Sequence, residues 1–252
     1  MVAVLLVLGV AALLALLAYS IYQDERLAGR IDEPRQASLS SPAFASTGIE
    51  DEAMPLWRRY PWMPDSIAVI DLETTGLDPE RHQIIEVAAV ILSRHTTVKA
   101  SARSIDLTDH FSALVKPLPG CRISSRITEI TGLDRKKLLA EGKEHEQVIR
   151  EFLVFIGSRT VVAYNADFDV SFIRLAAQRY GLEFRNQQHC ALAMMRLAYP
   201  GLRSYKLGYI AELGKVLQPT SHRALSDVQM TIPVYFSAGE QLHRRGVPLP
   251  SR

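Results

Sequence analysis

The sequence predicts an α/β domain, a mixed sheet with helices on its faces. Two observations lead there. Three strand-like runs, the apolar Ile67–Ile70, the Ile- and Val-rich Ile84–Leu92 and His110–Lys116, follow one another early in the domain. Segments of helical spacing then alternate with a further buried run, Val161–Tyr164. Strands first and alternating helices and strands afterwards suit a sheet whose faces must be covered by helices.

Each element has its own reason. Ile67-Ala68-Val69-Ile70 is apolar on both sides of a two-residue period and so reads as a central strand. Ile84–Leu92 has the same character, and His110–Lys116 gives a third strand. The polar stretch Ser93–Asp109 between them reads as a hairpin loop. Val148, Phe152, Phe155 and Ile156 recur at helical spacing, which predicts a helix over Glu146–Ile156. Phe168–Tyr180 reads as a helix closed by Gly181. Leu192–Leu197, Leu207–Leu213 and Ala224–Leu242 complete a helix-rich second half.

The ends of the chain are different material. Val2–Tyr22 contains no charged residue. At about 1.5 Å per residue such a run spans a hydrocarbon core of roughly 30 Å. Arg26, Arg30 and Arg35 follow it, which favours a cytoplasmic C-terminal side by the positive-inside rule. The alternative is a cleaved signal peptide, since Ala18 and Ser20 are small residues at a cleavage spacing, although no basic residue precedes the run. A soluble core helix is disfavoured because the run is apolar on every face. The expected organisation is therefore a transmembrane anchor over residues 1–22, a linker over 23–65, a globular domain over 66–240 and a tail over 241–252. Leu56, Trp57, Tyr60 and Trp62 offer the linker an apolar end that packs onto the domain.

Composition narrows the function classes. The formal net charge of +2 rules out binding nucleic acid through a whole-surface basic field, so any such binding is local. Two cysteines, Cys121 and Cys190, have neither metal-ligand nor redox spacing. A disulfide framework is not expected, which suits a reducing compartment.

The chemistry lies in acidic residues. Asp71 and Glu73 end the first strand two residues apart, so their side chains share one face. Two unpaired carboxylates there repel, and a hard divalent cation such as Mg²⁺ or Mn²⁺ relieves the conflict. Alone, an Asp-x-Glu more often marks a solvated strand end. Gly76 is expected to let the following chain turn sharply. Asp169 follows the buried run Val161–Tyr164 where a helix begins, the end of a strand at which α/β ligands gather. Asp167 is the expected helix cap there, and Asn165 braces the turn. His222 and Asp227 are five residues apart, about 140° on an ideal helix. They cooperate only if His222 lies on the loop before the helix and Asp227 within it. Arg203 and Lys206 read as surface charges that could meet phosphates.

Taken together, Asp71-Leu72-Glu73-Thr74-Thr75-Gly76-Leu77, Tyr164-Asn165-Ala166-Asp167-Phe168-Asp169 and His222-Arg223-Ala224-Leu225-Ser226-Asp227 resemble the DEDD exonuclease superfamily in its histidine-containing branch, which includes the epsilon proofreading exonucleases. Phe111–Pro117 and Ile127–Leu133 resemble that family's third strand and the turn after it. The resemblance implies an RNase H-like mixed five-stranded sheet flanked by helices. It also implies two Mg²⁺ or Mn²⁺ ions on Asp71, Glu73, Asp169 and Asp227, with His222 as general base. Thr75, Leu77 and Asn165 fall at positions that meet the terminal nucleotide. Tyr164 departs from relatives, where His is frequent, and this leaves its local hydrogen bonding open. The expected activity is release of nucleoside 5′-monophosphates from 3′ ends of DNA or RNA, by an enzyme tethered to the inner membrane and facing the cytoplasm. Two alternatives stand beside it: a proofreading subunit partnered with a DNA polymerase, and a nucleic-acid-binding membrane protein with a decayed site.

Overall fold

The structure is a computed structural model that describes residues 54–98, 109–214, 216 and 223–250, all within the unit Leu39–Arg252. The apolar segment Val2–Tyr22, the linker as far as residue 53, most of the expected hairpin loop and His222 lie outside the described residues.

The strands in chain order are β1 (Met54–Pro55), β2 (Ser66–Thr74), β3 (Ile84–Ser93), β4 (Thr97–Val98), β5 (His110–Leu114), β6 (Thr160–Ala163) and β7 (Gln188–Cys190). The helices are α1 (Leu56–Arg59), α2 (Ser125–Thr131), α3 (Arg135–Glu141), α4 (His145–Ile156), α5 (Ala166–Arg179), α6 (Ala191–Ala198), α7 (Leu207–Leu213) and α8 (Ala224–Arg244). Five strands form one sheet in the order β5-β3-β2-β6-β7, and β1 pairs separately with β4. β2–β3 and β3–β5 are antiparallel, whereas β2–β6 and β6–β7 are parallel. The mixed five-stranded sheet with flanking helices is thus the architecture expected.

Alternation along the central strands divides the core. Ile67 and Val69 of β2, with Ala88, Val90 and Leu92 of β3, face a cluster that includes Met194, Met195, Val228 and Tyr235 from α6 and α8. Ala68, Ile70 and Leu72, with Val87 and Ala89, face the opposite cluster, where Val148, Ile149 and Phe152 of α4 meet Val170, Phe172 and Ile173 of α5. A strand apolar on both faces belongs between two helical layers.

Several boundaries differ from expectation. The domain begins before residue 66: Leu56, Tyr60 and Met63 are buried in the α8-side cluster, so the linker's end docks as its apolar residues suggested. The boundary at residue 240 falls inside α8, which runs on to Arg244. Ile127–Thr131 is helical, not a turn, because Ser124 caps α2 by accepting from the Ile127 N–H and Gly132 ends it at φ 70°. Gly181 closes α5 as expected: its N–H donates to the Gln178 carbonyl, and Leu182 N–H donates to Ala177. Among the described residues no helix is long and apolar enough to cross a membrane.

Candidate active site

The site follows from strand parity. Odd residues of β2 face α8, so Asp71 and Glu73 continue the row begun by Ile67 and Val69. The register sets Ala88 opposite Asp71 and Glu86 opposite Glu73. Ala88 leaves room beside Asp71. One position further on, the pairing slips from Glu73↔Glu86 to Thr74↔Ile84, an irregularity of the kind that re-aims side chains beside sites.

α8 supplies Asp227 from its first turn, facing the same row. Asp71, Glu73 and Asp227 each offer a carboxylate oxygen, and these atoms lie within 4.8 Å of one another. Asp169 arrives from the other layer, in the first turn of α5. It is 3% exposed, and its carboxylate accepts from the backbone N–H groups of Leu72 and of Asp169 itself. The described residues therefore bring together the four expected carboxylates, three as one cluster and Asp169 close beside it.

Their electrostatics are strained. Burial pushes Glu73 up to about 8, reinforced by the charges of Asp227, Glu86 and Asp169 and eased by Arg223. Burial likewise raises Asp169 to about 8, against the lowering effect of its two backbone donors. Asp71 is held well above the usual carboxylate range by burial first and then by Asp169, Asp227, Glu73 and Glu86. Convergent carboxylates that resist ionising together are the donor set a hard divalent cation satisfies. The residues present fit such an ion.

The positions expected to meet substrate surround this cluster. Leu77 is 83% exposed just beyond β2. Asn165 is exposed at the N-cap position of α5, so it holds the place expected for Asp167, which lies instead within the helix's first turn. Thr75 is buried. Its Oγ1 lies 3.2 Å from His82 Nδ1 and accepts from the Gln83 N–H. Gly76 plays a different part than expected. It is not among the glycines of positive φ, but a Cβ there would come within 2.5 Å of the His82 ring. Tyr164 donates to the Tyr205 carbonyl, which ties the loop before α7 to the end of β6. Arg203 and Lys206 are exposed on or beside that loop.

Two residues were not anticipated. Glu86 is buried, and its carboxylate accepts from Arg223 Nε at 3.0 Å and Arg223 Nη2 at 2.7 Å. The available signal was a lone acid inside the apolar run Ile84–Leu92. Nothing local in the sequence named its partner, which stands 137 residues away.

A partly buried acidic cluster at one end of a β5-β3-β2-β6-β7 sheet is a donor set that suits a divalent cation, and comparison with known proteins gives the family. The exonuclease family (RNase T) matches residues 68–235. The chain belongs to this family and has the DEDD-type 3′→5′ exonuclease fold. It is 35% identical over 178 residues to DNA polymerase III subunit epsilon of Aquifex aeolicus, covering 70% of this chain and 82% of that protein. It is also 35% identical over 180 residues to the PolC-type DNA polymerase III of Caldanaerobacter subterraneus, covering 71% of this chain but only 12% of that much longer relative. E. coli exonuclease I in complex with a dT13 oligonucleotide shares the fold at a TM-score of 0.61 and 17% identity, over 73% of this chain and 43% of that one.

Proposed function

We propose that this protein removes nucleoside 5′-monophosphates from 3′ ends of nucleic acid, with divalent cations held by Asp71, Glu73, Asp169 and Asp227. The observation that carries this reading is the meeting of Asp71, Glu73 and Asp227 oxygens within 4.8 Å, from a strand and a helix, in a chain of the exonuclease family. Mg²⁺ or Mn²⁺, two ions in all, are the cations that suit an all-carboxylate set. When bound, such ions supply Lewis acidity and lower the pKa of coordinated water.

The chain's own residues do the rest. His222 lies two residues before Ala224, where α8 begins, and it takes the proton of the attacking water as general base. The water oxygen bonds to phosphorus, and the bond to the 3′ oxygen of the penultimate nucleotide breaks. Leu77 presents an exposed apolar surface to the terminal base. Thr75 and Asn165 border the same mouth.

A decisive assay follows release of end-labelled nucleotides from single- and double-stranded DNA and RNA with Mg²⁺ or Mn²⁺. Asp71→Asn is expected to abolish release, and His222→Ala to lower it by about 10²–10⁴-fold, with both proteins folded. Undiminished release in both variants would refute the reading.

The setting of this activity is a membrane. The uncharged run Val2–Tyr22, followed by Arg26, Arg30 and Arg35, supports a single anchor in the inner membrane with the catalytic domain on the cytoplasmic side. Fractionation with N-terminal sequencing tests it, and a mature protein beginning at Ile21 overturns the anchor. The similarity to a polymerase epsilon subunit favours a second setting, proofreading beside a DNA polymerase. Stable co-purification with a polymerase would select it.

A further inference from the structure

Glu86 is a fifth acid, itself buried, in a site already crowded with negative charge, and it is not a member of the Asp71–Glu73–Asp227 cluster. Its oxygens are occupied otherwise. Oε1 accepts from Arg223 Nε and Nη2, while Oε2 accepts from Arg223 Nε and from the Ala224 N–H at 3.3 Å. Arg223 is the N-cap residue of α8, in extended conformation, and its carbonyl accepts the first helical bond from Asp227 N–H at 3.0 Å. One ion pair therefore grips the last extended residue and the first helical residue of α8. His222 precedes the gripped residue directly, and Asp227 lies one turn beyond it.

We propose that Glu86 and Arg223 are positioning residues that clamp the start of α8 to β3 and so set Asp227 against Asp71 and Glu73. This rests on the metal-dependent reading above. Geometry favours a clamp over mere charge balance. Charge balance is served by any cation nearby, whereas a guanidinium fork bound to both carboxylate oxygens, with a backbone N–H added, fixes direction as well as distance. Glu86 also faces Glu73 across the β2–β3 pair, so the clamp anchors α8 on the strand that neighbours the metal-ligand row.

The test uses the full-length protein with two variants. Glu86→Gln/Arg223→Gln removes the buried carboxylate and its half-exposed partner together, so no uncompensated charge is left to unfold the domain. Arg223→Lys keeps the charge but loses the fork. Circular dichroism and thermal melting establish folding. The readouts are kcat and KM for an end-labelled oligonucleotide, and calorimetric affinity for Mn²⁺ alone. The clamp predicts a folded double variant whose kcat falls by about 10–100-fold and whose Mn²⁺ affinity weakens, with KM unchanged, and an intermediate loss in Arg223→Lys. Wild-type kcat and Mn²⁺ affinity in the folded double variant overturn it. Should the double variant not fold, Arg223→Lys decides alone: full kcat and affinity there overturn the clamp. A wild-type protein that binds Mn²⁺ without releasing nucleotides removes the exonuclease reading and leaves the clamp to be judged on affinity. A wild-type protein that binds no Mn²⁺ overturns both.

Discussion

Asp169 combines two demands that conflict in the absence of a cation. It is 3% exposed, yet its role needs a charge. Burial raises it to about 8 even though two backbone N–H groups favour its ionised form. Removing that charge should relieve the fold and damage the site. Asp169→Asn is expected to raise the metal-free melting temperature at pH 8 and to abolish the stabilisation given by Mn²⁺, both read by calorimetric melts with and without the ion. A lower metal-free melting temperature would show that the Leu72 N–H bond outweighs the repulsion. Among the proposed site residues, Asp71 and Glu73 were legible because spacing on a strand fixes which side chains share a face, and Asp169 and Asp227 joined them through the resemblance of their motifs. Glu86 was visible as an anomaly only, since its meaning depends on Arg223.

At the scale of the elements, α8 carries the domain: it supplies Asp227, covers one face of the sheet and receives the chain before β2. Trp62 packs between Tyr235 at 5.5 Å and Phe236 at 5.9 Å, centroid to centroid, and donates to Glu240 at 3.4 Å. Its indole lies directly over Gly239, where a Cβ would collide with the ring. Alanine for glycine within a helix ordinarily stabilises by about 1 kcal/mol. Here the clash should win, because neighbouring aromatic rings restrict the indole, and overpacking costs about 1–3 kcal/mol. Gly239→Ala is therefore expected to lower stability in urea titrations and to shift tryptophan fluorescence to longer wavelength. A more stable variant would contradict the packing described. Long apolar or periodic elements were readable in advance. The exceptions were short: β1, α1, β4 and α3 at two to seven residues, α2, whose helix depends on a Ser124 cap and a Gly132 stop around few buried residues, and β7, three residues long with a polar composition.

For the whole molecule, acid and metal are linked. Glu73 and Asp169, each at about 8 in the metal-free fold, bind protons that the unfolded chain releases above roughly pH 4. Folded-state values raised in this way give stability that is present at low pH and lost as pH rises through about 8. His145 works in the opposite sense. Burial lowers it to about 4, with Tyr180 hydroxyl 2.9 Å from its Nδ1, so its contribution is lost as pH falls from roughly 6.5 through 4. Above roughly pH 6.5 His145 is neutral in both states, so the interval from there to pH 8 isolates the carboxylates. The metal-free melting temperature is expected to fall across that interval. Mn²⁺ at about a hundred times its Kd should add about 2.7 kcal/mol and flatten or reverse the slope. A metal-free protein that grows more stable between pH 6.5 and 8 would contradict the crowding.

Residue spacing by itself determined the mixed sheet, the central strands, the main helices and the shared face of Asp71 and Glu73. Those depend on local periodicity, and periodicity is written in consecutive residues. The placing of His222 before α8 likewise came from angular arithmetic, although that residue lies outside the described structure. Tertiary structure alone decided the pairing of Glu73 with Glu86, the grip of Glu86 on Arg223, the docking of Trp62 on Gly239, and the seating of the His82 ring against Gly76. Each is a contact between residues whose sequence neighbours give no sign of it. Register and close approach are set by how whole elements pack, and one strand's hydrophobic pattern carries no record of which side chain will face it across the sheet.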